Sequence, residues 1–246
     1  MDKLIYTAMT GAKSLMLQQA AVSNNLANAD STGFRAEVNR LRAVPVQSES
    51  LPSRAFVVDA GLGTNFSEGP MKFTGRNYDV AVQGKGFFAI RTADGKEAYT
   101  RDGSFTVSAD GVLQTRSGQP VMGDGGPITI PPDNEIAIGK DGTISATPSS
   151  GAVNTVNVVG RLKLVNPSEQ NLERGDDGLF RTKDGQPLQL DENVQVASGY
   201  LEGSNVNVAE EMVQMISLSR QFEMQTSMLT NAQDNDKAAV QMMNAR

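Results

Sequence analysis

From Ile5 onward, apolar or small residues return at Ala8, Ala12, Leu15, Gln19, Val22 and Leu26. This alternating three-four spacing keeps one narrow stripe on one face of a helix. Gln19 is its only polar member, and Ala8 and Ala12 leave room for a neighbouring backbone. A helix from Ile5 to Leu26 would be about 33 Å long. The stretch that follows, NNLANADSTGF, is rich in residues that stop helices and make turns. The other end of the chain repeats the pattern. Asn207 or Ser204 can cap a helix in which Val208, Met212, Met215, Ser219, Phe222, Thr226 and Leu229 recur at the same spacing. Glu210 and Glu211 fall in its first turn, where the helix dipole favours negative charge. Ile216 and Leu218 widen the stripe, and Ala239, Val240 and Met243 carry it past NAQDNDK. A lone helix of this kind is marginal in water because nucleation is costly. The matched stripes therefore predict that the two ends pack as a coiled-coil-like bundle, with each other or with helices of another chain.

The middle carries a different rhythm. Asp-Gly pairs begin at Asp94, Asp102, Asp110, Asp124, Asp141, Asp177 and Asp184, and this dipeptide supplies the positive φ angles of tight hairpin turns. Between them the pairs Val80/Val82, Ile128/Ile130, Ile136/Ile138, Val156/Val158, Leu162/Leu164, Leu188/Leu190 and Val194/Val196 have the two-residue period of strands with one buried face. The expected fold is mostly β, a central all-β domain over 76–203. An N-terminal helical segment, 1–33, and a C-terminal one, 204–246, flank it. Residues 34–75, with Pro45, Pro52 and Pro70, read as an extended connector with room for a small hairpin.

Composition narrows the chemistry. The chain has no His and no Cys, which excludes imidazole bases, thiolate nucleophiles, zinc fingers and redox pairs. With a net charge of −6, no basic surface is evident for nucleic acid. Thr7, Thr10, Gly11 and Lys13 interrupt the first apolar residues, so no signal-peptide core is expected. No run approaches the roughly 20 apolar residues that would insert in a membrane.

Candidate catalytic features fail on geometry. Gly84-Lys85-Gly86 and Gly123-Asp124-Gly125-Gly126 lack the spacing of a phosphate-binding loop and read as turns. Asp176-Asp177 and Glu210-Glu211 are adjacent acids whose side chains diverge on a strand or a helix, so neither pair converges on a substrate. A polysaccharide-cleaving enzyme would also want stacking aromatics, and the chain has no Trp. A generic β-rich binding module would leave both terminal stripes without a purpose. No catalytic residue, cofactor or metal ligand is expected.

The segment SNNLANADSTGFRAE, from Ser23 to Glu37, closely resembles the N-terminal signature of the flagellar axial proteins, the family of rod, hook and hook-junction subunits. DVAVQGKGFFAI with YTRDGSFTVSADGVLQTRSGQPVMG resembles the family's central domain, and EGSNVNVAEEMVQMISLSRQFEMQ its C-terminal signature. Within the family, MDKLIYTAMTGA, LRAVPV and VGRLKLV look most like a proximal-rod protein, with distal-rod and hook proteins as near alternatives. The motif positions are Asn24, Asn25, Leu26, Ala27, Asn28, Gly33 and Phe34. The resemblance implies a structural subunit that leaves the cytoplasm unfolded through the flagellar type III export apparatus, without a cleaved signal peptide. It would join proximal and distal rod proteins in a helical, periplasm-spanning hetero-oligomeric rod that transmits torque from motor to hook. The β domain would face outward. The helices would form the assembly interface through Ile5, Ala8, Ala12, Leu15, Val22, Leu26, Val208, Met212, Met215, Phe222 and Leu229.

Overall fold

The structure, a computed structural model, describes residues 2–45, 55–132, 134–148 and 156–244. Side chains are described at these positions apart from 2–8, 41, 43–45, 55–60, 62, 232, 235, 236, 238–240 and 242–244. The chain is mostly β with a helix at each end, and it divides into two compact units. One is helical and comprises Met1–Ala29, Ala36–Asn65 and Val206–Arg246; the other is a β unit comprising Asp30–Arg35 and Phe66–Asn205.

In the helical unit, α1 (Asp2–Ala27) and α2 (Val208–Asn244) pack together. They run antiparallel: Asn25 near the end of α1 meets Glu211 in the first turn of α2, while Gly11 lies against Gln225. Of the two candidate caps, Asn207 starts α2, its Oδ1 accepting the Ala209 N–H at 3.1 Å. At the end of α1, the Asn24 carbonyl accepts both the Asn28 N–H at 3.1 Å and the Asn28 side chain at 2.9 Å.

The segment expected as a connector does more than connect. Its first part forms an antiparallel hairpin, Glu37–Pro45 with Ala55–Thr64, with a register shift between Asn39 and Leu41, and the hairpin packs against α1. Phe34 and Arg35 before it, and residues 66–75 after it, belong to the β unit instead.

The β unit is built round a five-stranded antiparallel sheet in the order Leu164–Val165, Phe87–Arg91, Glu97–Thr100, Phe180–Thr182, Leu172–Arg174. Both faces of this sheet are covered. Phe88 and Ile90 join one cluster with Val80, Leu113, Ile144 and Leu162, while Phe87 and Ala89 join another with Val165, Leu172 and Phe180. A strand buried on both sides has no reason to alternate, which is why FFAI reads as a continuous apolar run. A three-stranded sheet of Asn134–Ile138, Thr143–Pro148 and Asn157–Arg161 stands beside it in sequence. There the period-two reading holds for Ile136 and Ile138, both buried.

Three expectations need correction. Val156 and Val158 do not face the core; they are 63% and 70% exposed, at the start of one of the two edge strands of the three-stranded sheet. Leu188 and Leu190 lie in an irregular stretch, which is pinned because the Leu188 N–H donates to the Tyr99 hydroxyl at 2.8 Å. Burial, with Glu97 beside it, pushes the Tyr99 phenol up to about 12, so it stays neutral in that role. The third concerns turns: Gly95, Gly111, Gly142, Gly178 and Gly185 take the positive φ their Asp-Gly pairs imply, but Gly103 and Gly125 do not.

Candidate assembly site

Two apolar surfaces coexist on α2. Toward α1 it presents Glu211, Met215, Leu218, Phe222, Gln225 and Leu229, the positions that are buried or half-buried along its length. On other faces Met212, Val213, Ile216, Met224 and Met228 are 49%, 68%, 56%, 60% and 53% exposed. A helix that is apolar beyond the stripe its own partner covers has surface left for another partner. On α1, Ser14, Ala21, Val22 and Asn25 are buried, whereas Met9 and Met16 point to solvent.

The residues expected at an assembly interface therefore separate into groups. Leu15, Val22 and Leu26 on α1 and Met215, Phe222 and Leu229 on α2 are at least half-buried in the helical unit, as is Ala12. Val208 and Met212 remain exposed, as do Ser219 and Thr226 of the same expected stripe. Ile5 and Ala8 fall within α1, but their side chains lie outside the described residues. The inward face of α2 is rotated from the expected one because a polar residue, Glu211, takes part in it.

Glu211 is there because of Asn25, the most buried of the motif asparagines at 2% exposure. The Asn25 side chain works as a double-ended peptide mimic. Its Oδ1 accepts the Glu37 N–H at 2.8 Å, and its Nδ2 donates to the Glu37 carbonyl at 3.0 Å and to Glu211 Oε1 at 3.0 Å. One amide thus joins the end of α1, the start of the hairpin and the first turn of α2. Burial holds the Glu211 carboxyl above its usual range, against the Asn25 hydrogen bond that lowers it. Beside it, Asn24 donates to Glu37 Oε1 at 3.1 Å. Asn25→Ala should cost about 2 to 3 kcal/mol, because it removes the hydrogen bonds that Asn25 makes to both backbone groups of Glu37 and to Glu211. Circular dichroism should show earlier helix melting, and the Glu37 amide should exchange faster; an unchanged Glu37 amide would refute the clamp.

A second polar centre lies inside the β unit. Arg35, Arg101 and Glu202 are 2%, 3% and 2% exposed. Glu202 forms ion pairs with Arg35 Nη2 at 2.8 Å and Arg101 Nη1 at 3.2 Å and accepts the Gly69 N–H at 2.9 Å, while its own carbonyl takes the Gly33 N–H at 2.8 Å. The arginines also reach backbone: Arg101 Nη2 donates to Gly84 O at 2.5 Å, and Arg35 Nη1 donates to Ser67 O. Burial lowers the Arg101 guanidinium to about 10, although the Glu202 charge opposes the shift. Around this centre Arg174 stacks on Phe34, its guanidinium carbon 4.5 Å from the ring centroid, and donates to the Arg35 carbonyl at 3.0 Å. Asp177 makes a bidentate pair with Arg181 at 2.9 and 2.5 Å, and among the described residues no cluster of acids could hold a metal ion.

Three family descriptions match along the chain: Flagella basal body rod protein over residues 5–35, Flagellar hook protein FlgE/F/G D1 domain over 81–146, and Flagellar basal body rod FlgEFG protein C-terminal over 197–242. Over 99% of both chains, the sequence is 47% identical to the flagellar basal-body rod protein FlgF of Escherichia coli and 45% identical to that of Salmonella typhimurium. It is 37% identical to the FlgF of Caulobacter vibrioides over 99% of this chain and 98% of the relative. The chain belongs to the FlgF family of flagellar basal-body rod proteins.

It is a structural subunit of the basal-body rod and not an enzyme. The FlgF reading also gives the two polar centres a common origin. Asn24, Asn25 and Arg35 come from the segment that matches the N-terminal family, and Glu202 and Glu211 from the segment that matches the C-terminal one. Sequence reasoning singled out Asn25 without finding its role, because its partners are 12 and 186 residues away. It passed over Arg35 and Glu202 as sites entirely. An isolated charged residue in a turn-rich stretch carries no signal of burial.

Proposed function

We propose that this subunit joins the rod through the exposed apolar positions of its two terminal helices, with α1 and α2 entering a coiled-coil-like bundle of helices from neighbouring rod subunits. The observation that carries this is the second apolar surface of α2, Val213, Ile216, Met224 and Met228, which α1 leaves exposed. Burying such side chains contributes roughly 1.5 to 3 kcal/mol each, enough for a repeated contact to hold a shaft that transmits torque. The neighbours are other proximal and distal rod proteins. The chain reaches the rod through the flagellar export apparatus. The marginal stability of lone helices supports this route, since they order fully only when partners cover them.

The test is complementation of a strain lacking the subunit. Ile216→Asp and Met224→Asp each place a charge where the neighbour's apolar surface closes, at a cost of several kcal/mol. Motility should be lost and the chain should be missing from purified basal bodies, while secretion assayed separately is unchanged. Glu223→Gln, an exposed change on the same helix, should swim normally. Swimming cells with the Asp variants in their basal bodies would refute the proposal.

A further inference from the structure

The exposed helix surface is rich in sulfur. Met212, Met224 and Met228 on α2 and Met9 and Met16 on α1 are all at least 49% exposed. The chain has no Cys, His or Trp, so thioethers are its softest targets for two-electron oxidants. Met215, half-buried toward α1, and Met122, packed against the second core cluster, provide shielded comparisons within the same molecule.

We infer that these helix methionines form a modification site for hydroperoxides, and that their oxidation bars the free subunit from assembly. This rests on the reading of the exposed helix surface as the rod interface. In the step itself, a methionine sulfur lone pair attacks one peroxide oxygen. The S–O bond forms as the O–O bond breaks, and a proton moves to the leaving oxygen. With hydrogen peroxide the products are methionine sulfoxide and water; sulfur gives up two electrons and the peroxide takes them.

The sulfoxide oxygen is a strong acceptor on a side chain that must enter a dry interface. A buried acceptor without a donor opposes closure. Met224 and Met228 are one helical turn apart, so a single stretch of interface can carry two such groups. Sulfoxides at these positions should reduce incorporation by about tenfold or more. Closure in turn covers the sulfurs, so the vulnerable period ends when the subunit is in place. Leucine fills nearly the same volume and has no sulfur, which makes Met→Leu a clean comparison.

The experiment pulses motile cells with hydrogen peroxide while rods are being built. Sulfoxide at each methionine is then measured by peptide mass mapping, in the unassembled pool and in purified basal bodies. Met212, Met224 and Met228 should be oxidised in the pool well ahead of Met215 and Met122, and should be about tenfold depleted of sulfoxide in basal bodies. A variant with Met9→Leu, Met16→Leu, Met212→Leu, Met224→Leu and Met228→Leu should assemble equally well with and without the pulse. Equal sulfoxide in the two fractions, or a Leu variant as sensitive as the parent, would overturn the inference while leaving the interface reading intact. The interface reading falls separately, if Ile216→Asp subunits assemble.

Discussion

Replacing Glu202 by Ala is expected to destabilise the β unit by about 4 kcal/mol, a large part of what a domain of this size possesses. The loss is not the worth of one ion pair. Glu202 pairs with two buried guanidiniums at once, and without it Arg35 and Arg101 lose that shared counter-charge. Removing one member of a buried ionic cluster leaves a desolvated charge, which is costlier than never having built the cluster. The Arg101 guanidinium, already held at about 10 by burial, would lose the larger of the two carboxylate charges, Glu202 and Glu68, that oppose this. Gly69 would also lose the acceptor of its N–H. Glu202→Gln keeps an oxygen for Gly69 and removes only the charge, so it should fall between the parent and Ala. Urea unfolding followed by circular dichroism measures both. A Glu202→Ala protein within 1 kcal/mol of the parent (a threshold of about one hydrogen bond) would show that water reaches the cluster.

Gly103→Ala should be of similar severity for a purely steric reason. A Cβ at this position would stand 1.7 Å from the Val80 carbonyl oxygen and 3.1 Å from Phe88 Cε2. Both neighbours are fully buried, and the first is backbone, held by the pairing of Val80–Gln83 with Gln195–Ser198. Overpacking against side chains typically costs 1 to 3 kcal/mol, and against fixed backbone about 3 or more. The expected result is a melting temperature lowered by roughly 10 °C, or protein found only in the insoluble fraction. Gly125→Ala, where a Cβ meets nothing within 4 Å, is the control and should melt like the parent.

That pair of glycines shows how far the sequence could be read. Both follow Asp, so both look like hairpin turns. What separates them is whether another strand passes within bonding distance, a fact of tertiary structure with no local trace. The same limit explains the valines. The spacing of Val156 and Val158 matches that of Ile136 and Ile138, but only the latter pair has a layer against it. Periodicity reports that one face differs from the other; it does not report which face is covered. The helices were legible in extent because their period runs over many turns and their ends carry Asn caps. Their exact inward faces were not, because Asn25 draws the polar Glu211 into the contact and α2 is apolar on more than one side.

The two ends of the β unit are tied together. The Asn205 N–H donates to the Phe34 carbonyl at 3.4 Å, and the Gly33 N–H reaches the Glu202 carbonyl at 2.8 Å. For α1 and α2, which are separated in sequence by everything from 28 to 207, this changes the statistics of meeting. An unfolded loop of that length would charge its full closure entropy to helix pairing. Once the β unit has folded, its length no longer counts, since its ends are already side by side. Going from about 180 free residues to about ten reduces the closure term by roughly 2.5 kcal/mol. Folding of the β unit therefore acts as an entropic preload on the helical hairpin, and a lesion confined to the Arg35–Glu202 region should be felt as weaker helix pairing at a site that shares none of its contacts.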